Sequence, residues 1–590
     1  MSLTPDPSPI APPTAGRGAP PPVPCQGSFR LFSPLSRRRG GRWERGARGV
    51  RLLALLLFLL PVTLRAASAP DHPAPAADSS AYDGAVVGEI RIVTRTIFDP
   101  EKPGEDRLLF RLADRLHRTT RPEVIERQLL LRRGDRFTHE ALQESERILR
   151  ANPYLYDAQV RAVPAGDGVV DLEVITRDVW TLQGGISFSR AGGENTGSIH
   201  LEDTNFLGTG KEVTLLHIND VDRTSEVFRY RDPSLVGSRA RLELSYAANS
   251  DGGRKRFDLD RPFYSLDARW ALGLRTMLDD RVEPLYEFAR VFERFRHKTD
   301  FAEVYTGLSP GLTRGHAQRW KLGFTYSRER YGPEGGLDST TVIPDDRTLS
   351  YPWIGYEYIQ DGFVTERGLD NLQRAEDLNL GRQFHWRLGW SAPAVGGDVT
   401  RLIAETGATA GWRPSPRQLL LASAQGSTRT RTGQAENLRA GASVRYYARN
   451  FRDNVFYAAA EGEIGHRLDP ENQILLGGDN GLRGYPLRLQ SGDRRYLVTL
   501  EQRFFGQREY FHLVHLGAAV FFDAGRAWYE KIPDRYFFPT ERPLLKDLGL
   551  GLRIGSSRSS KAAMIHLDLA YPLDGDYHQV QWLISSSESF

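Results

Sequence analysis

The chain has 590 residues, a net charge of +4 and 26% charged side chains, so no basic excess marks it for nucleic acid. Its mean hydropathy of −0.44 is too polar for a bundle of transmembrane helices, yet compatible with a transmembrane β-barrel, whose interior is polar. The single cysteine, Cys25, precedes the one strongly apolar segment, so a chain cleaved after that segment can form no disulfide.

Residues 1–50 open with a run rich in proline and arginine and are expected to be disordered, or a mis-assigned N-terminal extension. Leu52 to Leu60 (LLALLLFLL) follows Arg45, Arg48 and Arg51 and precedes the small residues Ala66 to Ala69. Nine apolar residues are too few to anchor in a bilayer but fit the core of a signal peptide, here 51–69, with cleavage near Ala66 to Ala69. The mature chain is therefore expected to leave the cytoplasm, with 70–83 as a Pro/Ala/Asp linker.

Residues 84–179 read as a small α+β domain. Val86 to Val93 alternates as a strand, Glu123 to Leu131 has helical spacing, and Thr138 caps a second helix, HEALQESERILRAN. Tyr156 to Val163 and Val169 to Ile175 are two strands joined by the turn 165–168. The order strand, helix, helix, strand, strand, with RILRANPYLYDAQV at the second junction, resembles a POTRA domain.

From 180 to 590 no convincing helix remains. Short alternating segments recur between Gly/Asp/Asn/Pro turns: RARLELSY (239–246), LGLGLRI (548–554) and IHLDLAY (565–571). Their polar faces are often charged, and Trp270, Trp353, Trp412, Trp528 and Trp582 sit near strand ends, as a membrane girdle would place them. The C-terminal Phe590 is in phase with Trp582 and Ile584. At about 25 residues per strand and turn the segment would hold roughly 16 strands. The expected fold is an all-β transmembrane barrel of antiparallel strands behind a small α+β domain.

One stretch stands apart. Ile474 to Pro486, ILLGGDNGLRGYP, carries four glycines, Asp479 and one arginine just before an aromatic. That glycine density builds neither helix nor strand, so the segment is a shaped loop. Several segments then resemble the BamA/TamA superfamily of outer-membrane proteins (bacterial surface antigens). DTNFLGTGK (203–211) and DPSLVG (232–237) look like its early turns, and GLRGY (481–485) like its invaginated loop motif. FFDAGRAW (521–528) looks like the Asp-x-Gly strand that follows, and LDLAYPL (567–573) like the penultimate strand. The resemblance covers 84–590.

It implies a barrel of about 16 strands, a periplasmic POTRA-like domain and a loop folded into the lumen. In that loop Gly481, Leu482, Arg483, Gly484 and Tyr485 form the motif, with Asp523 and Gly525 as anchoring partners on the wall. An arginine desolvated at the tip of such a loop needs a carboxylate. The sequence departs from the family in having room for one POTRA unit, and in placing Ser586 and Glu588 where the C-terminal recognition strand is usually apolar.

No catalytic site is found. His512, His515, His566 and Asp568 lack metal-ligand spacing, and Lys211 is followed by Glu212 rather than the Ser or Thr of a phosphate loop. No Gly-x-Ser-x-Gly elbow occurs, no cofactor is implied, and the runs 37–39 and 429–431 read as solvated basic patches. The expected function is outer-membrane protein assembly or translocation, in a Gram-negative-type bacterium. The POTRA-like domain would capture extended polypeptide by strand addition. A seam between the first strand (Gly184, Gly185) and the last (Val580, Trp582, Phe590) would open towards lipid. Implied partners are outer-membrane lipids, unfolded or secreted client polypeptides, and periplasmic or inner-membrane assembly proteins. The alternative is a passive channel, receptor or surface antigen.

Overall fold

The computed structural model describes residues 79–98, 117–334, 343–369, 375–451, 454–511, 513–531, 542–556, 564–575 and 577–586. Residues 1–78, with the extension, the signal and most of the linker, lie outside this set, as do His512 and Phe590.

The α+β unit comprises β1 (Val86–Arg95), α1 (Pro122–Glu126), α2 (His139–Arg150), β2 (Leu155–Gly166) and β3 (Val169–Asp178). Its sheet order is β1-β3-β2, parallel between β1 and β3 and antiparallel between β3 and β2. α2 starts where Thr138 Oγ1 accepts the Ala141 N–H, and stops where Asn152 Nδ2 donates to the carbonyls of Ile148 and Leu149. It packs Leu142 and Leu149 against Val160, Val170, Leu172 and Val174 of the sheet. The helix expected over 123–131 ends after Glu126. Beyond it the Leu130 N–H donates to Ser145 Oγ of α2, and Leu129 and Leu131 turn into the core.

The barrel begins with six strands of eight to ten residues. They are β4 (Leu182–Ala191), β5 (Glu194–Asp203), β6 (Glu212–Asn219), β7 (Thr224–Asp232), β8 (Arg241–Asn249) and β9 (Gly252–Arg261). Longer strands follow: β10 (Trp270–Glu287), β11 (Arg290–Leu308), the two-residue β12 (Leu312–Thr313), β13 (His316–Pro333) and β14 (Arg347–Gln360). A hairpin of β15 (Phe363–Arg367) and β16 (Ala375–Asn379) interrupts the wall. The wall resumes with β17 (Gln383–Ser391), β18 (Arg401–Ser415), β19 (Gln418–Arg431), β20 (Gln434–Arg449) and β21 (Val455–His466). A second small ladder, β22 (Ile474–Leu476) with β23 (Gln490–Gly492), forms the neck of a loop. The barrel ends with β24 (Arg494–Tyr510), β25 (Val514–Trp528), β26 (Leu545–Ser556), β27 (Met564–Pro572) and β28 (Gln581–Ser586).

Leaving aside β12 and the two small ladders, twenty strands close into one barrel among the described residues, where about sixteen were expected. The excess arises in residues 182–261, where six short strands joined by tight turns replace the longer repeat assumed from the sequence. All but the eight-residue β6 reach about 9 residues, the length at which a tilted strand begins to span a bilayer.

Burial along the strands is inverted relative to a water-soluble sandwich. On β26, Leu548, Leu550 and Leu552 are exposed while Asp547 and Arg553 are buried. Leu272, Leu322, Leu388 and Leu402 repeat the exposed row, and Glu303, Arg319, Lys321 and Arg387 the buried one. An apolar outer belt around a charged lumen is the signature of a membrane barrel. Trp270, Trp412 and Trp582 stand on the outer surface and Trp528 is partly buried. Trp353 does not join the girdle. It points into the lumen, where its Nε1 donates to Thr325 Oγ1 at 3.0 Å and Arg387 lies 4.0 Å above its ring.

Antiparallel connectivity puts alternate turns at one end, and the α+β unit docks there. Asn205 Nδ2 donates to Thr120 Oγ1 (2.7 Å), Arg239 Nη2 to the Leu129 carbonyl (2.7 Å), and the Leu266 N–H to Glu144 (2.7 Å). The β15–β16 hairpin belongs to this end. Arg150 grips its Asp377 with two bonds of 2.8 Å, and Leu369 and Leu378 tuck against Leu419, Tyr447, Val455 and Tyr457 inside the wall.

Candidate functional site

The loop 474–492 leaves the opposite end and folds back into the lumen. The turn over 477–482 is set by one side-chain and one backbone bond: the Gly477 N–H donates to Asn480 Oδ1 and the Leu482 N–H to the Gly477 carbonyl. Gly481 has φ +120°, and a Cβ there would strike Leu497, so only glycine fits. At Gly484 a Cβ would come 2.7 Å from the Cβ of Asp547, and the bare backbone lets the Gly484 N–H reach that carboxylate at 3.0 Å. Leu482 and Tyr485 are fully buried in a cluster with Leu476, Leu489, Leu497, Ala527 and Leu545. The Tyr485 hydroxyl donates to the Lys546 carbonyl (2.8 Å) and accepts the Asp574 N–H (3.2 Å).

Arg483 lies at the centre, 1% exposed. Its Nε and Nη2 donate to Asp523 of β25 at 2.7 and 3.1 Å. Nη1 donates to Glu501 of β24 at 3.1 Å and to Asp568 of β27 at 3.3 Å, and the guanidinium covers the Phe521 ring at 3.3 Å. Arg503 bonds Glu501 at 3.0 Å, and Arg553 pairs with Asp568, so three arginines face three carboxylates. The Asp523, Glu501 and Asp568 carboxylates surround the buried guanidinium and compensate its loss of water. A desolvated charge is tolerable only with this degree of pairing.

A second arginine of the same loop reaches the other side. Arg488 forks onto Asp222 in the β6–β7 turn, at 2.8 and 3.0 Å, and lies 4.2 Å over the Tyr286 ring. The β4–β5 turn meets the loop backbone to backbone, for a Cβ on Gly192 would strike Pro486 and Leu487. The loop thus holds β24 to β27 through Arg483, Gly484 and Tyr485, and the turns of β4 to β7 through Arg488 and its own backbone.

Between those two groups lies the junction of first and last strands. β4 and β28 register a single pair among the described residues, Ile584 opposite Arg190, with Arg190 4.8 Å over the Trp582 ring. By contrast β10 and β11 stay paired from Trp270–Leu308 to Glu287–Arg290 with one bulge. Gly184 and Gly185 pair with Leu201 and His200 of β5, and Val580 lies exposed just before β28.

Of the residues singled out from sequence, the structure therefore brings the five loop residues together with Asp523. Gly525 stands two residues beyond on β25, close to Tyr496 and Leu476. Gly184, Gly185, Val580 and Trp582 fall at the junction, apart from the loop anchor; Phe590 is not described. Sequence reasoning missed Glu501 and Asp547 as loop partners and the whole Arg488–Asp222 contact. Asp568 was readable as a lumen residue by alternation, though not as a partner of Arg483.

Solved structures similar to this chain include a BamA from Haemophilus ducreyi lacking POTRA domains 1–3 (13% identity, TM-score 0.36, covering 84% of this chain and 83% of that one). Others are CdiB from Escherichia coli (13%, 0.40, 84% and 76%) and CdiB from Acinetobacter baumannii (12%, 0.38, 90% and 96%). No protein-family model and no curated protein sequence matches the chain.

Proposed function

We propose that this outer-membrane barrel is a non-enzymatic assembly or translocation factor for polypeptides. The observation that carries the reading is the junction of β4 and β28. A lumen loop spans it, fastened by Arg483 to β24, β25 and β27 on one side and by Arg488 to the β6–β7 turn on the other. A barrel wall is ordinarily closed by a continuous ladder, because an unpaired strand edge in lipid leaves polar backbone unsatisfied. A junction clasped from within by such a loop is suited to part when the clasp is released and to lend its edges to an incoming strand.

The α+β unit supplies the receiving surface. β1 and β2 are both edge strands of its sheet, and an extended segment adding to β2 would gain main-chain hydrogen bonds with little demand on sequence. The unit is expected to lie in the periplasm, docked on the barrel end through which clients arrive. A steadily open channel is disfavoured by what the lumen holds: the buried Arg483 loop at one end and the Leu369–Leu378 hairpin at the other.

The test is a disulfide across the junction. Arg190→Cys with Ile584→Cys, in a Cys25→Ser background, should block client assembly or export when oxidised and restore it on reduction. Undiminished export from the oxidised protein would overturn the proposal.

A further inference from the structure

The barrel end that carries the α+β unit bears a set of apolar side chains that the described residues leave exposed. Leu207, Val236 and Phe511 occupy short turns there, and each has a left-handed backbone, with φ of 54°, 51° and 55°. Glycine or asparagine adopts that conformation freely; leucine and phenylalanine do so at a cost, and branched valine least readily of all. No packing repays it among the described residues, where the three are 54%, 94% and 79% exposed. Phe206 and Phe451 stand exposed on the same or neighbouring turns.

The turns at 204–211 and 233–240 are built alike, and both are firmly held. In each an aspartate accepts an N–H two residues on, Asp203 from Asn205 (2.9 Å) and Asp232 from Ser234 (3.0 Å). In each a backbone bond closes the base, Phe206 to Lys211 and Leu235 to Ala240, both 2.8 Å. The side chain at the left-handed position is thereby held outward on a fixed backbone, the condition under which such strain persists. The glycines of the same turns face the α+β unit: a Cβ on Gly208 would strike the Thr119 carbonyl, and one on Gly237 would lie 3.1 Å from Arg127. Each turn is therefore two-faced, with glycine towards protein and leucine or valine away from it.

We propose that the outward face of these turns docks on the bilayer, with Leu207, Val236 and Phe511 seated at the boundary of headgroup and acyl chain. The occupant is lipid rather than a partner protein because the surface continues a lipid-facing row. Ile199 and Leu201 of β5, Leu215 of β6 and Phe228 of β7 are exposed on the outer wall that runs into the 204–211 and 233–240 turns. Apolar surface at that boundary is stabilised, whereas in water it would add to an exposed patch with no partner. The same turns would then hold the α+β unit against the membrane surface.

Fluorescence quenching tests this in the full chain carrying Cys25→Ser. Leu207→Cys, Val236→Cys and Phe511→Cys would each be labelled with an environment-sensitive dye. Arg314→Cys is the control, because Arg314 occupies a turn at the same end with φ 53° and a polar side chain. Proteins folded into phosphatidylcholine vesicles, checked by heat-modifiable gel mobility, would meet acyl-brominated lipid or aqueous iodide. Bromolipid should quench the three labels at least twofold more than the control, and iodide should do the reverse. Labels that follow Arg314→Cys with both quenchers would overturn the proposal, without bearing on polypeptide assembly. Val236→Asn, which suits the left-handed backbone, gives a second arm: folding into vesicles should slow severalfold, and unchanged or faster folding would contradict lipid contact.

Discussion

The Arg483 guanidinium meets the Asp523 carboxylate edge to edge, Nε to Oδ2 at 2.7 Å and Nη2 to Oδ1 at 3.1 Å, and both groups are buried. Removing the arginine strands Asp523 and leaves Glu501 and Asp568 to Arg503 and Arg553 alone, a loss of about 3–5 kcal/mol for a broken buried pair. The wall ladders do not depend on it, so Arg483→Ala should still give a heat-modifiable barrel, melting lower and cut by protease within 474–492. Arg483→Lys should recover little, because an ammonium cannot form the planar fork. A variant with wild-type melting, protease resistance and client assembly would reduce the loop to a passive turn.

The contact between Arg488 and Asp222 makes a second, separable prediction. If the loop fastens the two sides of the junction, Arg488→Ala and Asp222→Ala should each loosen β4 from β28. The rate of disulfide formation between Arg190→Cys and Ile584→Cys reads that directly and should fall severalfold in either variant. The exchanged pair Arg488→Asp with Asp222→Arg should recover part of it. A double-mutant cycle in denaturant should give a coupling of about 1.5 kcal/mol or more, as close charge pairs do. Additive effects would show that the two residues act apart.

These contacts also mark how far the sequence could be read. Alternation in LGLGLRI put Leu550 and Arg553 on opposite faces, because the strand period of two is local, and the charged polar faces and aromatic ends then turned the leucines outward. The glycine density of ILLGGDNGLRGYP marked a shaped loop, and the family resemblance implied that its arginine folds into the lumen. Asp523 was reachable through the motif that surrounds it. Glu501 and Asp222 were not, since which lumen carboxylate meets a given arginine depends on barrel register and circumference. Strand number fixes that circumference, and sixteen in place of twenty would misplace every cross-lumen neighbour. Trp353 failed for a related reason: position near a strand end does not say which face a residue takes.

Arg150 of α2 and Asp377 of the β15–β16 hairpin form the bond by which the α+β unit holds the lumen hairpin. The hairpin also meets the loop network, since Arg503 donates to the Leu369 carbonyl at 2.7 Å as well as to Glu501. Arg150→Asp should release the hairpin at its docked side. The expected outcome is protease cutting near 363–379 and a rise in transient conductance across planar bilayers. Arg150→Asp with Asp377→Arg should reverse both. Unaltered conductance and protection in the single variant would mean that the hairpin's other contacts, among them Leu369 and Leu378 in the wall and Arg147 4.4 Å over the Phe363 ring, suffice to hold it.

Glu144 gives the docking a pH dependence whose sign can be worked out. Its carboxyl lies buried between α2 and the β9–β10 turn, accepting the Leu266 N–H at 2.7 Å. Burial raises its pKa and is the largest influence; the Leu266 N–H opposes that rise, Arg147 and Arg319 lower it further, and Asp361 raises it. An acid whose folded pKa exceeds its unfolded one binds more protons when docked, so its contribution is full below the ordinary carboxylate range. That contribution fades as pH climbs through the raised value. Glu144→Gln, which keeps shape and acceptor oxygen but cannot ionise, should lose this dependence. The stability of wild type minus that of Glu144→Gln, measured by denaturant unfolding from about pH 4 to 8, should therefore be greatest at the acid end and decline with rising pH. A difference that grows towards alkaline pH would mean that Glu144 is held as a paired carboxylate, with Arg147 outweighing burial.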